Sequence, residues 1–266
     1  MKRHLIALVA LSFCAAAGFA QTNVSGAITT NATWTTAGSP YNITSDVTVN
    51  TGVTLTIQPG VTIKVADSSS LLVSGKLAAV GTSSQPIVFT TARSAPAAGA
   101  WKGIDFRSTS DPTSTVSYVN IDSGGWSAGR TMYIAGSSPH IDHVTISTLA
   151  GSAIWIDLAA AHPVIDSCTF NGGTAYGLYV TGGALEVRNT TITNFTNYAI
   201  SVGPGIDVLD ASNLTSTGNG GGAKNNIGYR GGNMGGLKHG ARSDSRGTFL
   251  PASLSPRVGR SRSSQE

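Results

Sequence analysis

The sequence has almost no cysteine, little charge and no long apolar run after its first residues. Two of its 266 residues are cysteines, Cys14 and Cys168. Because Cys14 falls in a predicted leader, the rest of the chain has one thiol and cannot form an internal disulfide. Stability must then come from packing and hydrogen bonds. Cys168 is expected to be a small buried apolar residue rather than a nucleophile or a metal ligand.

The one extended apolar run lies at the N-terminus. Basic residues at positions 2–4 precede an apolar stretch at 5–17, and small residues then lead to a cleavage point after Ala20. This layout is typical of a secretory signal peptide, and the run is short for a transmembrane helix. We therefore predict a secreted or cell-surface protein with no membrane span after cleavage. A lipoprotein alternative would place a lipid on Cys14, but Phe13 before it is bulkier than the usual lipobox residue.

Charged residues make up 11% of the chain and are unevenly distributed. The formal net charge is +4, of which the leader contributes +2, residues 21–215 contribute −4 and residues 216–266 contribute +6. The last segment is rich in Gly, Ser and Arg without a hydrophobic period, which is typical of disorder. A basic tail can bind nucleic acid or an anionic surface. We do not expect nucleic acid as a partner, because the predicted signal peptide exports the chain. A truncated or out-of-frame end is the alternative explanation of this tail.

The sequence also has no ten-residue window with a helical stripe after the leader. Val, Ile and Thr instead alternate with small polar residues, as in strands. Five segments align with one another, "VSYVNI", "HIDHVTI", "VIDSCTF", "EVRNTTI" and "DVLDASNL". Their closing apolar residues are 25, 24, 22 and 22 positions apart: Ile121, Ile146, Phe170, Ile192 and Leu214. A second set between them closes at steps of 22, 24 and 22 on Ile134, Ile156, Val180 and Val202.

A period of 22–25 residues built from short strands predicts an all-β, single-stranded parallel β-helix, or solenoid, with about three short strands per coil. The predicted organisation is a signal peptide at 1–20, an N-terminal cap at 21–45, a β-helix at 46–215 and a disordered tail at 216–266. The cap would cover the open first coil with Trp34 and Tyr41, since a bare end strand invites aggregation. One turn slot of the repeat is expected to stack polar side chains along the axis: Tyr118, His143, Ser167, Asn189 and Asp210.

Three stretches carry a resemblance to a known group of proteins. They are residues 39–91, which contain "VTVNTGVTLTIQPGVTIKV", then "GAWKGIDF" at 99–106 and "VSYVNIDSGG" at 116–125. They resemble the opening coils of exported bacterial right-handed parallel β-helix proteins with the pectate-lyase-like superfold, over roughly residues 32–215. The resemblance implies a right-handed helix and export. It does not imply one activity, because these modules occur in adhesins, surface-layer proteins and lyases.

Asp142, Asp166 and Arg188 form the best acid–base group of the sequence. The repeat places them in one outward column, which reads Ser117, Asp142, Asp166, Arg188 and Leu209, beside a column of His140, Val164, Glu186 and Asp207. Lyases of this fold use several carboxylates to hold Ca²⁺ and a basic residue to remove a proton. Ca²⁺ needs six to eight oxygen ligands, and two carboxylates fall short of that number. We therefore expect no cofactor, with a weakly bound Ca²⁺ as the alternative. An exposed ion-pair ladder of little energetic value is the simpler explanation of this group.

The catalytic sequence motifs known from this superfold are missing from the chain. The hydrolase motifs "DD", "GHG" and "RIK" are absent. The sequence "WID" resembles a lyase motif, but Leu158 follows it where that motif has a histidine. The sequence therefore favours a module without catalytic activity, with a polysaccharide lyase or hydrolase acting near Asp142, Asp166 and Arg188 as the alternative. A third candidate, an ice- or mineral-binding surface, would use outward threonines that do not repeat in later coils: Thr48, Thr54, Thr56 and Thr62.

An aromatic column is the most distinctive outward feature. Tyr133, Trp155 and Tyr179 occupy the same place on three successive coils and are predicted to form a flat apolar platform with ~4.8 Å between rings. Asp157 and Thr181 would lie at its edge and bond sugar hydroxyls. The predicted ligand is an extracellular polysaccharide or another cell-envelope polymer. The alternative is an aromatic ladder that is covered by a loop or only stiffens the sheet.

Overall fold

The computed structural model describes residues 21–126 and 129–230, together with the backbone of residues 242–243 and 249–250. The predicted signal peptide, the Cys14 lipidation alternative and most of the predicted tail lie outside these residues. Within these residues, helix is confined to two single 3₁₀ turns at Thr36–Gly38 and Asn219–Gly222. No helix among the described residues is both long enough and apolar enough to cross a membrane.

The strands are short and follow one another along the described chain. In chain order the first thirteen are β1 (Thr22–Ile28), β2 (Ala32–Trp34), β3 (Tyr41–Val49), β4 (Thr54–Ile57), β5 (Thr62–Val65), β6 (Ser70–Val73), β7 (Lys76–Val80), β8 (Ile87–Thr91), β9 (Gly103–Phe106), β10 (Thr115–Ser117), β11 (Val119–Asp122), β12 (Arg130–Ala135) and β13 (His140–Asp142). The others are β14 (Thr145–Ser147), β15 (Ser152–Asp157), β16 (Val164–Asp166), β17 (Thr169–Gly173), β18 (Leu178–Val180), β19 (Ala184–Arg188), β20 (Thr191–Phe195), β21 (Ile200–Val202), β22 (Asp207–Ser212), β23 (Thr215–Thr217), β24 (Ile227–Tyr229), β25 (Arg242–Ser243) and β26 (Phe249–Leu250).

The strands from β1 to β24 form the three faces of a parallel β-helix. Face A is the eight-stranded sheet β2-β4-β7-β10-β13-β16-β19-β22. Face B runs through β5, β8, β11, β14, β17, β20 and β23, and face C through β6, β9, β12, β15, β18, β21 and β24. The long strand β3 belongs to both of these, because Tyr41–Ile43 pair with β5 and Val47–Val49 pair with β6. Each coil thus contributes one strand to each face, which confirms the predicted β-solenoid of about three strands per coil.

The interior is a continuous apolar core that no coil could form alone. Along β4 and β5, every second side chain points inward and is buried, and the others are partly or fully exposed. The largest fully buried side chains are spread along the whole stack, among them Trp101, Phe89, Phe106, Phe170 and Phe195. Cys168 is 2% exposed, and burial raises the pKa of its thiol to about 12, as expected for a structural cysteine.

Both predicted registers are confirmed through most of the stack. Ile121, Ile146, Phe170 and Ile192 pair in succession on face B, and Ile134, Ile156, Val180 and Val202 do so on face C.

The register prediction is wrong at the last coil of face A. Asp207 pairs with Ala184, two residues before its predicted partner Glu186, and a bulge in β22 then adds a third residue of shift. Leu209 is the extra residue, since Leu185 pairs with Val208 and Glu186 with Asp210. An unpaired residue of this kind shifts everything after it. Ser212 rather than Leu209 therefore follows Arg188, Asp210 rather than Asp207 follows Glu186, and Ser216 rather than Leu214 follows Ile192.

A single left-handed residue joins each later face A strand to its face B strand. We call this column the turn ladder, and its φ values are 49–53°: Tyr118, His143, Ser167, Asn189 and Asn213. Asn213 takes the place predicted for Asp210, three residues later, in agreement with the shifted pairing of β22. The ladder is held by backbone bonds, such as Tyr118 N–H to Asp142 O at 3.1 Å. Side chains add to it, since Asn213 Nδ2 donates to Asn189 Oδ1 at 3.0 Å.

Strand pairing reaches beyond residues 46–215 at both ends. β1 pairs in parallel with β3, and β2 pairs with β4. Trp34 and Tyr41 are buried there with their rings stacked at 4.8 Å. At the other end, β24 pairs with β21 within the segment predicted as a tail.

Replacement of Phe170 by alanine should test whether the shared core holds the coils together. Phe170 is fully buried between the pairing partners Ile146 and Ile192, so Phe170→Ala is expected to lower the free energy of unfolding by about 3–5 kcal/mol. The control is Thr169→Ala, on the same strand but exposed, with an expected change within about 0.5 kcal/mol. Urea unfolding followed by circular dichroism measures both; equal losses would contradict the described core.

Candidate functional site

Asp142, Asp166 and Arg188 are neighbours on face A, as the sequence predicts. Asp142 pairs with Asp166, and Asp166 pairs with Arg188, on three adjacent strands. The guanidinium of Arg188 is the centre of the group. Its Nε lies 2.8 Å from Asp166 Oδ2, its Nη1 contacts Glu186 Oε1, and Asp210 Oδ2 is 3.9 Å away.

The carboxylate of Asp166 is fully engaged by its neighbours. Besides Arg188, Asn189 Nδ2 and Ser167 Oγ each donate to Oδ1 at 2.9 Å. Desolvation raises the pKa of Asp166, but the hydrogen bonds from Asn189, Arg188 and Ser167 outweigh it and lower the pKa from 3.8 to about 2. A group of such low basicity, with its lone pairs occupied, is a poor proton acceptor at neutral pH. The geometry therefore favours the ion-pair ladder for this column.

Asp142 has a different set of partners. Ser117 Oγ donates to its Oδ2 at 3.0 Å, and His143 Nδ1 lies 2.9 Å from the same oxygen. His140 Nε2 is 3.6 Å from Oδ1. Between residues 21 and 230, leaving aside 127–128, no three His, Cys, Asp or Glu side chains are grouped to hold a metal ion. The Ca²⁺ alternative thus gains no complete ligand set from this column.

The aromatic column is in register on face C. Tyr133 pairs with Trp155, and Trp155 with Tyr179, and all three side chains are half-buried. The rings are nearly perpendicular rather than coplanar: the Tyr133 and Trp155 planes meet at 76° and those of Trp155 and Tyr179 at 79°. The prediction of a flat platform is therefore wrong. We call this group, with Asp157 and Thr181, the face C cluster.

Hydrogen bonds explain the orientation of these rings. Trp155 Nε1 donates to Thr181 Oγ1 at 2.7 Å, and Thr181 Oγ1 donates to Asp157 Oδ1 at 2.9 Å. Tyr133 Oη donates to Asp157 Oδ2 at 2.8 Å, and the amide of Leu158 donates to Oδ1. Desolvation raises the pKa of Asp157, yet the donors Tyr133, Leu158 and Thr181 bring it below its usual value. Asp157 thus anchors the rings, and its bonding to sugar hydroxyls stays a prediction.

Two arginines that the sequence did not point to complete the face C cluster. The Arg130 guanidinium lies 3.9 Å from the centre of the Tyr133 ring and 3.5 Å from Asp105 Oδ2. The Arg230 guanidinium lies 4.1 Å from the centre of the Tyr179 ring, and its Nη2 donates to Val180 O at 3.2 Å. Arg130 is the first residue of the strand that contains Tyr133. Its place in the repeat could therefore have indicated that it lies near the aromatic column. Arg230 lies in a Gly-rich segment without a repeat, so no pattern indicates it.

The low pKa of Asp166 predicts how the stability of the folded protein depends on pH in acid. Because its ionised form is favoured in the folded state, the stabilisation is complete above the usual carboxyl pKa and is lost as the pH falls through about 2. Asp166→Asn is therefore expected to reduce the fall in thermal unfolding temperature between about pH 4 and pH 2. Asp207→Asn, which changes the net charge equally but forms no ion pair within the described residues, is the control. The same acid profile in both variants would contradict the described network.

Comparisons with known proteins agree with the architecture. A family model described as a pectate-lyase-like beta helix domain matches residues 26–111, and one described as a right-handed beta helix region matches residues 99–220. Protein bark beetle of Drosophila melanogaster is 44% identical over 61 residues, which cover 23% of this chain and 2% of that protein. No solved structure matches significantly. The chain therefore contains a pectate-lyase-like β-helix domain at residues 26–111 and a right-handed β-helix region at residues 99–220, which together form one parallel β-solenoid.

Proposed function

We propose that the protein is an exported β-helix module that binds a carbohydrate polymer along face C without cleaving it. The observation that carries this proposal is the row of Tyr133, Trp155 and Tyr179, which are in register on adjacent strands and each partly exposed. A pectate-lyase-like fold fits a carbohydrate-related role. The ligand would be an extracellular polysaccharide or another polymer of the cell envelope, and the protein would act outside the cell.

The fixed orientation of the rings supports binding. Trp155 is held by Thr181, and Tyr133 by Asp157, so these side chains lose little conformational freedom when a ligand arrives. Preorganisation of this kind raises affinity by lowering the entropic cost of association. Aromatic rings bind the apolar C–H faces of sugars by dispersion and by their quadrupole. Arg130 lies over the Tyr133 ring, and Arg230 and Tyr176 both pack on the Tyr179 ring. The polymer would therefore contact the ring surface that these neighbours leave exposed.

The guanidinium groups of Arg130 and Arg230 border this row at its two ends. Arg130 is partly neutralised by Asp105, while Arg230 is placed by Tyr179 Oη and Val180 O. Charged donors of this type also bind hydroxyl and carboxylate oxygens of sugars. Neutral polymers and polyuronates therefore both belong in the binding test.

Removal of the rings should abolish binding while leaving the helix folded. A glycan array first identifies a bound polymer; Trp155→Ala is then expected to weaken its binding roughly tenfold and the triple Tyr133→Ala, Trp155→Ala, Tyr179→Ala variant more strongly. Trp155→Phe retains a ring but loses the indole donor, and should fall between wild type and Trp155→Ala. Leu209→Ala, an exposed apolar residue on face A, is the control.

Unchanged affinity in the triple variant would refute the face C proposal. A loss of unfolding temperature in that variant, without a loss of binding, would assign the face C cluster to the stiffening of the sheet.

The catalytic alternative makes a different prediction. We expect the wild-type protein to release neither unsaturated products nor new reducing ends from polygalacturonate or other polyuronates, because Asp166 is held as an ion-pair partner. If cleavage is detected, Asp166→Asn and Arg188→Gln decide whether face A is responsible. Loss of cleavage in both variants would establish the lyase or hydrolase function instead.

A further inference from the structure

A cleft opens beside the turn ladder, on a different side of the helix from the face C cluster. Its volume is about 330 Å³, within the range of roughly 300–1,000 Å³ typical of ligand pockets. Its lining includes Thr82 and Pro86 from one loop, Tyr118 and His143 from the ladder, and Asn120 and Thr145 from face B. Asn120 and Thr145 pair directly on β11 and β14.

The cleft exists because one turn of the repeat is longer than those that follow. Residues 81–86 connect β7 to β8 where the later coils use a single left-handed residue. This loop is rigid, since Thr82 and Gln85 exchange both backbone hydrogen bonds and Thr82 Oγ1 also accepts from the Gln85 amide. The amide of Ile87 donates to Tyr118 O at 3.1 Å, which fixes the loop against the ladder. The cleft is therefore preformed.

The ladder places aromatic residues only beside this cleft. Tyr118 and His143 stack with a ring separation of 4.3 Å and an angle of 15°. Both have positive φ, a conformation that His adopts more readily than most residues but that is unusual for the bulky Tyr118. Away from the loop the same ladder uses Asn189 and Asn213, and Asn tolerates that conformation. The strained backbone of Tyr118 beside the cleft points to function there.

The chemistry of the lining suits an uncharged, hydroxyl-rich ligand. No Lys, Arg, Asp or Glu lines the cleft. Within the described chain the side chains of Asn120 and Thr145 and the hydroxyl of Tyr118 make no hydrogen bond to protein. His143 Nδ1 lies 2.9 Å from the Asp142 carboxylate, which leaves Nε2 to form a hydrogen bond with a ligand hydroxyl. We propose that this cleft binds a neutral sugar unit, stacked against the Tyr118–His143 pair and hydrogen-bonded by Asn120 and Thr145.

Two substitutions test the cleft without disturbing the ladder. Tyr118→Asn and His143→Asn introduce the residue that the ladder itself uses in later coils, so both variants should fold. The probes are cellotetraose, mannotetraose and galactotetraose as neutral sugars, with tetragalacturonate for comparison. In an NMR titration of the full chain, at least one neutral probe is expected to shift the Tyr118, Asn120 and His143 resonances. Each variant should weaken that binding roughly tenfold.

The controls separate this proposal from the one for face C. Asn189→Ser changes the same ladder outside the cleft and should leave binding unchanged. Trp155→Ala should not alter the shifts at Tyr118, and Tyr118→Asn should not alter those of the Trp155 indole. The proposal is overturned if none of the neutral probes shifts the cleft resonances, if tetragalacturonate binds there more tightly than every neutral probe, or if both variants bind as wild type. Lower unfolding temperature with unchanged binding would assign the aromatic pair to stability alone.

Discussion

The structure depends on hydrogen bonding between successive coils in strict register. One coil has three short strands and a few inward side chains, too little to bury by itself. Each coil becomes stable only when the next one pairs with it, and the pairing places like positions above one another on all three faces. Core, turn ladder and surface columns all follow from this single constraint. The low content of cysteine and charge is consistent with it, because backbone bonds and apolar packing provide the cohesion.

Register also turns a linear sequence into columns of side chains, and each column has its own chemistry. On face A, Arg188 is ion-paired with Asp166, while Asp142 contacts the imidazole of His143. On face C, Tyr133, Trp155 and Tyr179 form a cluster ordered by internal hydrogen bonds. The same scaffold thus carries an ion-pair ladder and an aromatic surface at once. The fold alone does not decide between them as functional sites, since function in such proteins lies in the side chains placed on the repeat.

The repeat in the sequence was sufficient to predict the strands from β10 to β21, their pairing and the neighbours in each column. It failed where a local event interrupts the period. At β22 the pairing of Ala184 with Asp207 is already two residues away from the predicted pair, and the bulge at Leu209 adds one more. The orientation of the Trp155 ring could not be predicted, because it is set by a bond to Thr181 on the next coil. Arg230 reaches Tyr179 from 51 residues away, without a periodic signal.

The long strand β3 has a consequence for the whole stack. It passes from face B to face C without a loop, pairs with β5 and β6 on one side and is matched along both halves by β1 on the other. One continuous segment therefore sets the alternation of inward and outward residues on both faces. A slip of one residue there would turn the inward residues of both faces outward together. The turns of later coils can vary in length, as the loop at 81–86 does. This is possible because β3 has already fixed which residues of faces B and C point inward.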